Sequence, residues 1–402
     1  MNSEKIFDVI IAGAGPAGSA CALCLAESGL NVALLDKSTF PRKKICGDAL
    51  SIDVSKQLPL ISKILSEKFE ALKEKSPSKG VRIIGPSGEQ LEFETIHNNS
   101  IVYVVKRQVF DKLLNDCIHE TPSIKYFNNC KVESVKQEPE NITISTSSGI
   151  FKSKILVGAD GANSVVSHFV TEHHKSKKHL CVGIRAYYGN VEGMHHDGHL
   201  ELHFYKNILP CYLWIFPMQN KCANVGLGLM YSDILKSKQS LKKIMLDIIH
   251  EHPNVSPRFR NARLEDKIEA WPIPMAMDKK NISGERILLT GDAAGLIDPF
   301  TGEGVGNALR SGRIAAEHIL KCFTENNFSS AFNKNYDKEI YRRMWNELRI
   351  SKSTQKILKF PKLIDFIIHK ANNNTSFRNL LRQALYSDEV KEKIIKNLVI
   401  KK

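Results

Sequence analysis

The chain has 402 residues, 42% hydrophobic and 25% charged, the balance of a soluble globular protein rather than a disordered one. No apolar run approaches the roughly 20 residues that span a bilayer, and the length predicts two or three lobes rather than one core. A net charge of +14 suits an anionic membrane surface, an acidic protein or an anionic ligand. No recognised nucleic-acid motif accompanies it, so no nucleic-acid partner is expected.

The N-terminus enters a core strand almost at once, so no secretory signal is expected and the location read from the sequence is cytoplasmic. Val9 to Ala12 is an apolar run of strand length. Gly13, Gly15 and Gly18 follow at GxGxxG spacing. Gly13 permits a tight turn, Gly15 lets a pyrophosphate approach the backbone, and Gly18 lets the next helix pack on the strand. That helix is predicted from Pro16 to a stop at Gly29, with phosphate-seating amides at its start. A second strand, Val32 to Leu35, delivers Asp36 at the distance where an acid bonds a ribose hydroxyl; a solvated strand-end acid is the alternative. The pattern predicts a dinucleotide. Of nine scattered cysteines only Cys21 and Cys24 have CxxC spacing. Both lie on the first helix and read as packing residues, with no metal site.

Ser38 to Asp48 is a polar, basic loop. Val81 to Arg107 alternates through Gly85-Pro86-Ser87-Gly88 and reads as antiparallel strands of a different sheet. Arg107 opens a helix with Val109, Phe110, Leu113 and Leu114 at helical spacing. Ile155 to Gly161 reads as a central strand with Asp160 at its tip.

Residues 181–230 read as an antiparallel block. His199, Glu201 and His203 share one strand face, and clean alternation predicts that this face is solvated rather than metal-binding. Tyr212, Trp214 and Phe216 alternate with Leu213 and Ile215, so that strand is buried on both sides or lines a cavity. Val225 to Leu229 is predicted to return beside it, its glycines leaving room. A helix is expected near Ser237 to His250, and a strand toward Trp271.

Ile287 to Leu289 is a strand running into Gly291-Asp292-Ala293-Ala294. A turn from Pro299 to Gly304 and a long helix from about Val305 follow, whose N-terminus directs positive potential over the turn. Beyond Leu320 the chain is helical and basic. Phe360 to Lys370 suits a helix lying in a membrane interface, or one packed on the body.

Three motifs in this order, GAGPAG with Asp36, VGADG, and LLTGDAAGLIDPFTGEG, resemble the flavoprotein monooxygenase superfamily with the para-hydroxybenzoate hydroxylase fold. Within it, FPRKKICGDAL resembles the Pro-x-x-Lys-x-Cys-Gly segment of the geranylgeranyl reductase family, and PCYLWIFPMQNKCANVGLGL resembles that family's Tyr-x-Trp-x-Phe-Pro signature and following Asn-Val-Gly. The resemblance spans residues 5–320; residues 321–402 match no motif. It implies an α/β fold with a Rossmann-type FAD-binding domain (1–75, 101–180 and 271–320), an inserted antiparallel-sheet substrate domain (76–100 and 181–270) and a helical C-terminal region (321–402).

The resemblance also implies FAD at Gly13, Gly15, Ala17, Gly18, Asp36, Val132 and Asp160. The backbone of Cys46, Gly47 and Ala49 then lies near the flavin, and Arg107, Asp292, Gly304 and Val305 contact the cofactor. Tyr212, Trp214 and Phe216 line an apolar substrate tunnel. The activity implied is an oxidoreductase in which reduced FAD saturates isolated double bonds of a polyprenyl lipid or quinone side chain. Cys46 and Asp48 are candidate proton donors, and NAD(P)H or a ferredoxin-like acidic protein is the electron donor. Alternatives are an aromatic or polyketide monooxygenase using NAD(P)H and oxygen, and a non-catalytic flavin-binding protein peripheral to the membrane. Asp48 stands where the family often has a second glycine, which departs from its pattern at the flavin edge.

Overall fold

The computed structural model describes residues 5–94, 101–170, 179–237, 239–384 and 388–399. The parts of the strand and domain readings that fall on 95–100 and 171–178 lie outside the described residues. Strand Lys5–Ala12 lies at the centre of the first sheet. It pairs in parallel with Val32–Leu35 on one side and Gly149–Gly158 on the other. Ile287–Leu289 and Ile124–Phe127 extend this parallel core, and Ile142–Thr146 with Val132–Gln137 forms an antiparallel branch. Both faces are covered, so Val9, Ile10 and Ile11 are all fully buried, which is why the sequence there is a continuous apolar run without alternation.

The first helix is Pro16–Cys24, shorter than the expected run to Gly29. The Ser28 hydroxyl donates to the Leu25 carbonyl and accepts from the Leu30 amide, closing the chain into a turn before Gly29 is reached. Helix Val305–Thr324 crosses this first helix closely. A side chain at Gly312 would collide with the Ala17 carbonyl, so the crossing needs a glycine there.

The second sheet runs Arg263–Leu264, Leu180–Gly189, Ala223–Met230, Leu213–Pro217, Leu200–His203, Gly80–Ile84, Gln90–Glu94, with Glu269–Pro274 also on Leu180–Gly189. The expected return to the nucleotide sheet at residue 271 therefore comes after Pro274. The hairpin expected between Val81 and Arg107 is present as Gly80–Ile84 and Gln90–Glu94. Val102–Val104, however, joins Ala49–Leu50 and Ser76–Ser78 in a separate small sheet. Two helices, Tyr231–Ser237 and Leu241–Glu251, stand where one was expected.

The face carrying His199, Glu201 and His203 is not solvated. All three are buried, Glu201 completely. Arg258 grips Glu201 with two bonds of 2.6 and 2.9 Å, and His203 Nε2 lies 3.1 Å from it. Alternation identified one face correctly, but its charge is satisfied by an arginine 57 residues away rather than by water.

Helix Ser330–Ile357 buries Tyr336, Ile340, Met344 and Leu348, spaced four apart, against the first core. Pro361–Asn373 and Thr375–Ala384 lie over the second sheet, where Ile364, Ile368 and Ala371 pack with Leu91, Phe93 and Phe204. Among the described residues no helix is long and apolar enough to cross a membrane.

Candidate active site

Three separated motifs meet at one edge of the parallel sheet. Gly13 adopts a φ of +107°, and a Cβ there would lie 3.0 Å from the Asp160 Cα. Ala17 faces Gly291, one residue before Asp292. A Cβ on Gly304 would lie 3.6 Å from the Asp292 carboxylate. Gly18 packs on the Gly13 carbonyl so tightly that any side chain would overlap it, so Gly18 shapes the turn. Gly15 is different: a Cβ there would meet only Arg42, at 3.5 Å. It also caps the first helix without a side-chain hydrogen bond, leaving amides directed into open space.

Asp36 is buried and accepts from the Ala14 amide and the Ser38 amide, both at 2.8 Å. It therefore ties the second strand to the glycine turn. The Cys130 amide donates to the Asp36 carbonyl (2.8 Å), which brings the buried Val132 into the same corner. Asp160 accepts from the Val165 and Val166 amides through one oxygen, while the other is buried without a partner. Burial pushes its carboxyl above the usual range. The Arg42 Nε is likewise buried and unpaired. An uncapped helix start, a side-chain-free cradle and two orphaned polar atoms fit a ligand with phosphates and hydroxyls, as FAD has. Gly13, Gly15, Asp36, Val132, Asp160, Arg42, Asp292, Gly304 and Val305 would hold it.

The Lys44–Ala49 loop meets the second sheet. Asp48 is fully buried with a φ of +65°. Its carboxylate accepts from the Arg107 amide (3.1 Å), the Tyr187 hydroxyl (2.5 Å) and the Asn224 amide group (2.8 Å). Burial raises its pKa, opposed first by Tyr187 and then by Asn224. The same Asn224 nitrogen donates to the Cys46 carbonyl (2.8 Å), and its oxygen accepts from the Trp214 indole (2.9 Å). Trp214 and Phe216 close over Gly47, where a Cβ would lie 3.4 Å from Phe216. Gly226 opposite Trp214 leaves room for the indole. Tyr212 donates to the Thr301 carbonyl at 2.5 Å, joining the aromatic strand to the turn before Gly304. The three aromatics thus bridge both loops.

The half-buried Cys46 thiol is pushed up by burial, with Arg107 pulling the other way. The buried Arg107 guanidinium is held by Asp111 with bonds of 2.8 and 3.0 Å. Burial lowers Lys44 to about 8, opposed by Asp292, and its ammonium lies 3.7 Å above the Trp271 ring.

Sequence reasoning missed Tyr187 and Glu303, and met Asn224 only as the first residue of the Asn-Val-Gly motif, without a role. The Glu303 carboxylate accepts from the Gly306 amide at 2.6 Å, and burial raises it to about 7, with Asp53 and Asp298 adding to the rise. Only its place in the turn signalled it. Near the edge of the second sheet Glu92, His195 and His199 bring one potential ligand atom each within 4.8 Å. The His195 and His199 rings lie 14° from parallel, however, and His195 Nδ1 accepts from the Asp197 amide. Their lone pairs do not converge, and no metal role is assigned.

Residues 7–348 match the FAD binding domain family. Among curated proteins the chain is 28% identical over 389 residues to conditioned medium factor receptor 1 of Dictyostelium discoideum (90% of this chain, 73% of that one). It is 28% identical to a digeranylgeranylglycerophospholipid reductase of Methanosarcina acetivorans (86% and 81%), and 26% identical to the menaquinone reductase of Mycobacterium tuberculosis (79% and 77%). Among solved structures, a geranylgeranyl bacteriochlorophyll reductase-like protein of Thermoplasma acidophilum superposes with a TM-score of 0.78 at 23% identity, covering 91% of each chain. A flavin-dependent brominase does so with 0.78 at 20%, covering 99% and 100%. The fold is shared between the reductase-like protein and the brominase. The chain belongs to the FAD binding domain family and is an FAD-dependent oxidoreductase, similar to the geranylgeranyl-type reductases named above.

Proposed function

We propose that this enzyme reduces carbon–carbon double bonds in the polyprenyl chain of a lipid or quinone. The observation that carries this reading is the link Trp214–Asn224–Cys46, which fastens an aromatic wall directly to the cofactor-side loop. An isolated alkene has no polar handle, so an apolar wall must position it and exclude water. Tyr212, Trp214 and Phe216 supply that wall, and their π faces stabilise positive charge building on the alkene carbon.

When bound, FAD supplies the hydride equivalent. The proton comes from the protein, and Cys46 is the group we assign to deliver it: burial keeps its thiol protonated at neutral pH. Asp48 offers no free oxygen toward a substrate, since three donors occupy its carboxylate. Its role is to hold the Cys46 loop against the second sheet. No second GxGxxG occurs in the sequence, which favours NAD(P)H visiting transiently or an acidic ferredoxin-like donor over a resident nicotinamide nucleotide.

The test is anaerobic incubation of the FAD-loaded protein with reductant and either a geranylgeranyl phospholipid or a menaquinone. Mass increases in steps of two hydrogens support the reading. No mass change under nitrogen, with substrate-stimulated oxygen uptake in air, would replace it with an FAD- and NAD(P)H-dependent monooxygenase.

A further inference from the structure

Charge is concentrated at the C-terminal end of the molecule. Between Lys352 and Ala384 the chain has seven Lys and Arg residues and one acid, a net six of its fourteen positive charges. That one acid, Asp365, accepts from the Ser87 amide at 2.9 Å and faces the body. Lys352 is paired with Asp278. Among the described residues no carboxylate pairs with Lys356, Lys359, Lys362, Lys370, Arg378 or Arg382.

Helix Pro361–Asn373 has two unlike faces. Ile364, Ile368 and Ala371 are buried in the cluster that includes Tyr212 and Phe300, beside the aromatic wall. Lys362, Phe366 and Lys370 are exposed on the other face, while His369 turns back to Glu89 of the hairpin at 3.5 Å. Phe366 is 53% exposed, with the Lys370 ammonium 5.9 Å from its ring, and Phe360 at the start of the helix is 48% exposed. Asn372 pins this helix to the hairpin through Glu89 and the Gln90 carbonyl, so the face is presented rigidly. An exposed aromatic ring on a face whose cations have no carboxylate partner is the pattern of a surface that meets acidic headgroups and inserts shallowly among acyl chains.

We propose that the outer face of Pro361–Asn373, extended by Arg378 and Arg382, docks on an anionic lipid bilayer. The helix whose back closes the Tyr212 cluster then rests on the phase in which a prenyl chain dissolves. This inference rests on the polyprenyl reading for its purpose but not for its test.

The test is flotation of full-length, FAD-loaded protein with vesicles of phosphatidylcholine alone or with about one third phosphatidylglycerol. Wild-type protein is expected to float only with the anionic vesicles and to detach in high salt. Lys362→Glu with Lys370→Glu is expected to weaken binding about tenfold or more, and Phe366→Ser to weaken it severalfold. FAD content and turnover of a detergent-dispersed substrate stay unchanged in both. Absence of wild-type binding, or binding indifferent to these substitutions, overturns the proposal. So does a charge-reversed variant that still floats but loses reduction by an acidic electron-donor protein, since the face is then a protein dock. Vesicle binding without any double-bond reduction by wild-type protein would instead retain the docking face and remove the polyprenyl reading.

Discussion

The Tyr187 hydroxyl donates to the Asp48 carboxylate at 2.5 Å across 139 residues of sequence. Burial raises Asp48, and Tyr187 is the first of the groups holding it down. With its folded pKa above the unfolded value of 3.8, the native state binds the extra proton between the two, and stability falls as pH rises through the folded value. Tyr187→Phe pushes that pKa higher. The variant is expected to lose roughly 1.5–3 kcal/mol at about pH 8 and clearly less near the unfolded value of 3.8, read by urea unfolding. Equal losses at both pH values would show that Asp48 does not titrate with the fold.

Two glycines of one motif separate folding from cofactor binding. Gly18→Ala places a methyl group on the Gly13 carbonyl and is expected to give insoluble protein. Gly15→Ala has only Arg42 to meet, so the chain should fold with near-native stability while its FAD affinity drops at least about tenfold, because the backbone can no longer approach a phosphate. Flavin absorbance against melting temperature measures both. Normal FAD uptake by Gly15→Ala would move the pyrophosphate elsewhere.

Cys46→Ala tests the proton donor. General-acid groups contribute about 10²–10⁴-fold to rate, so turnover should fall by at least about 10² with FAD content and flavin reduction by dithionite unchanged. Full activity would transfer the role to another group in the cleft.

Glu303, raised from 4.5 to about 7 mainly by burial, carries its own pH signature. The folded chain holds a proton there that the unfolded chain has released, so stability declines as pH rises from about 4.5 to about 7 and then levels off. Glu303→Gln is expected to flatten that decline by roughly 2 kcal/mol. Denaturation midpoints at about pH 5 and pH 8 decide it: the midpoint difference should shrink in the variant.

Local signals made the nucleotide half readable. Gly13, Gly15, Gly18 and Asp36 act over short stretches, and the strands they join are continuous apolar runs because both faces are covered. The aromatic strand was equally plain, since Tyr212, Trp214 and Phe216 alternate with Leu213 and Ile215. What sequence reading missed depends on distant partners. Arg258 turns the His199–Glu201–His203 face inward, and Ser28 ends the first helix before its glycine. The donors that hold Asp48 are distant in the same way: Tyr187 and Asn224 lie on strands that reach it only once the second sheet has formed.

The single side chain of Asn224 spans the boundary between the two halves, holding an indole with its oxygen and a loop carbonyl with its nitrogen. A guest that shifts Trp214 must tug on Cys46 through this amide. Filling the greasy side of the enzyme should therefore tint its yellow colour, giving a spectral titration that needs no turnover.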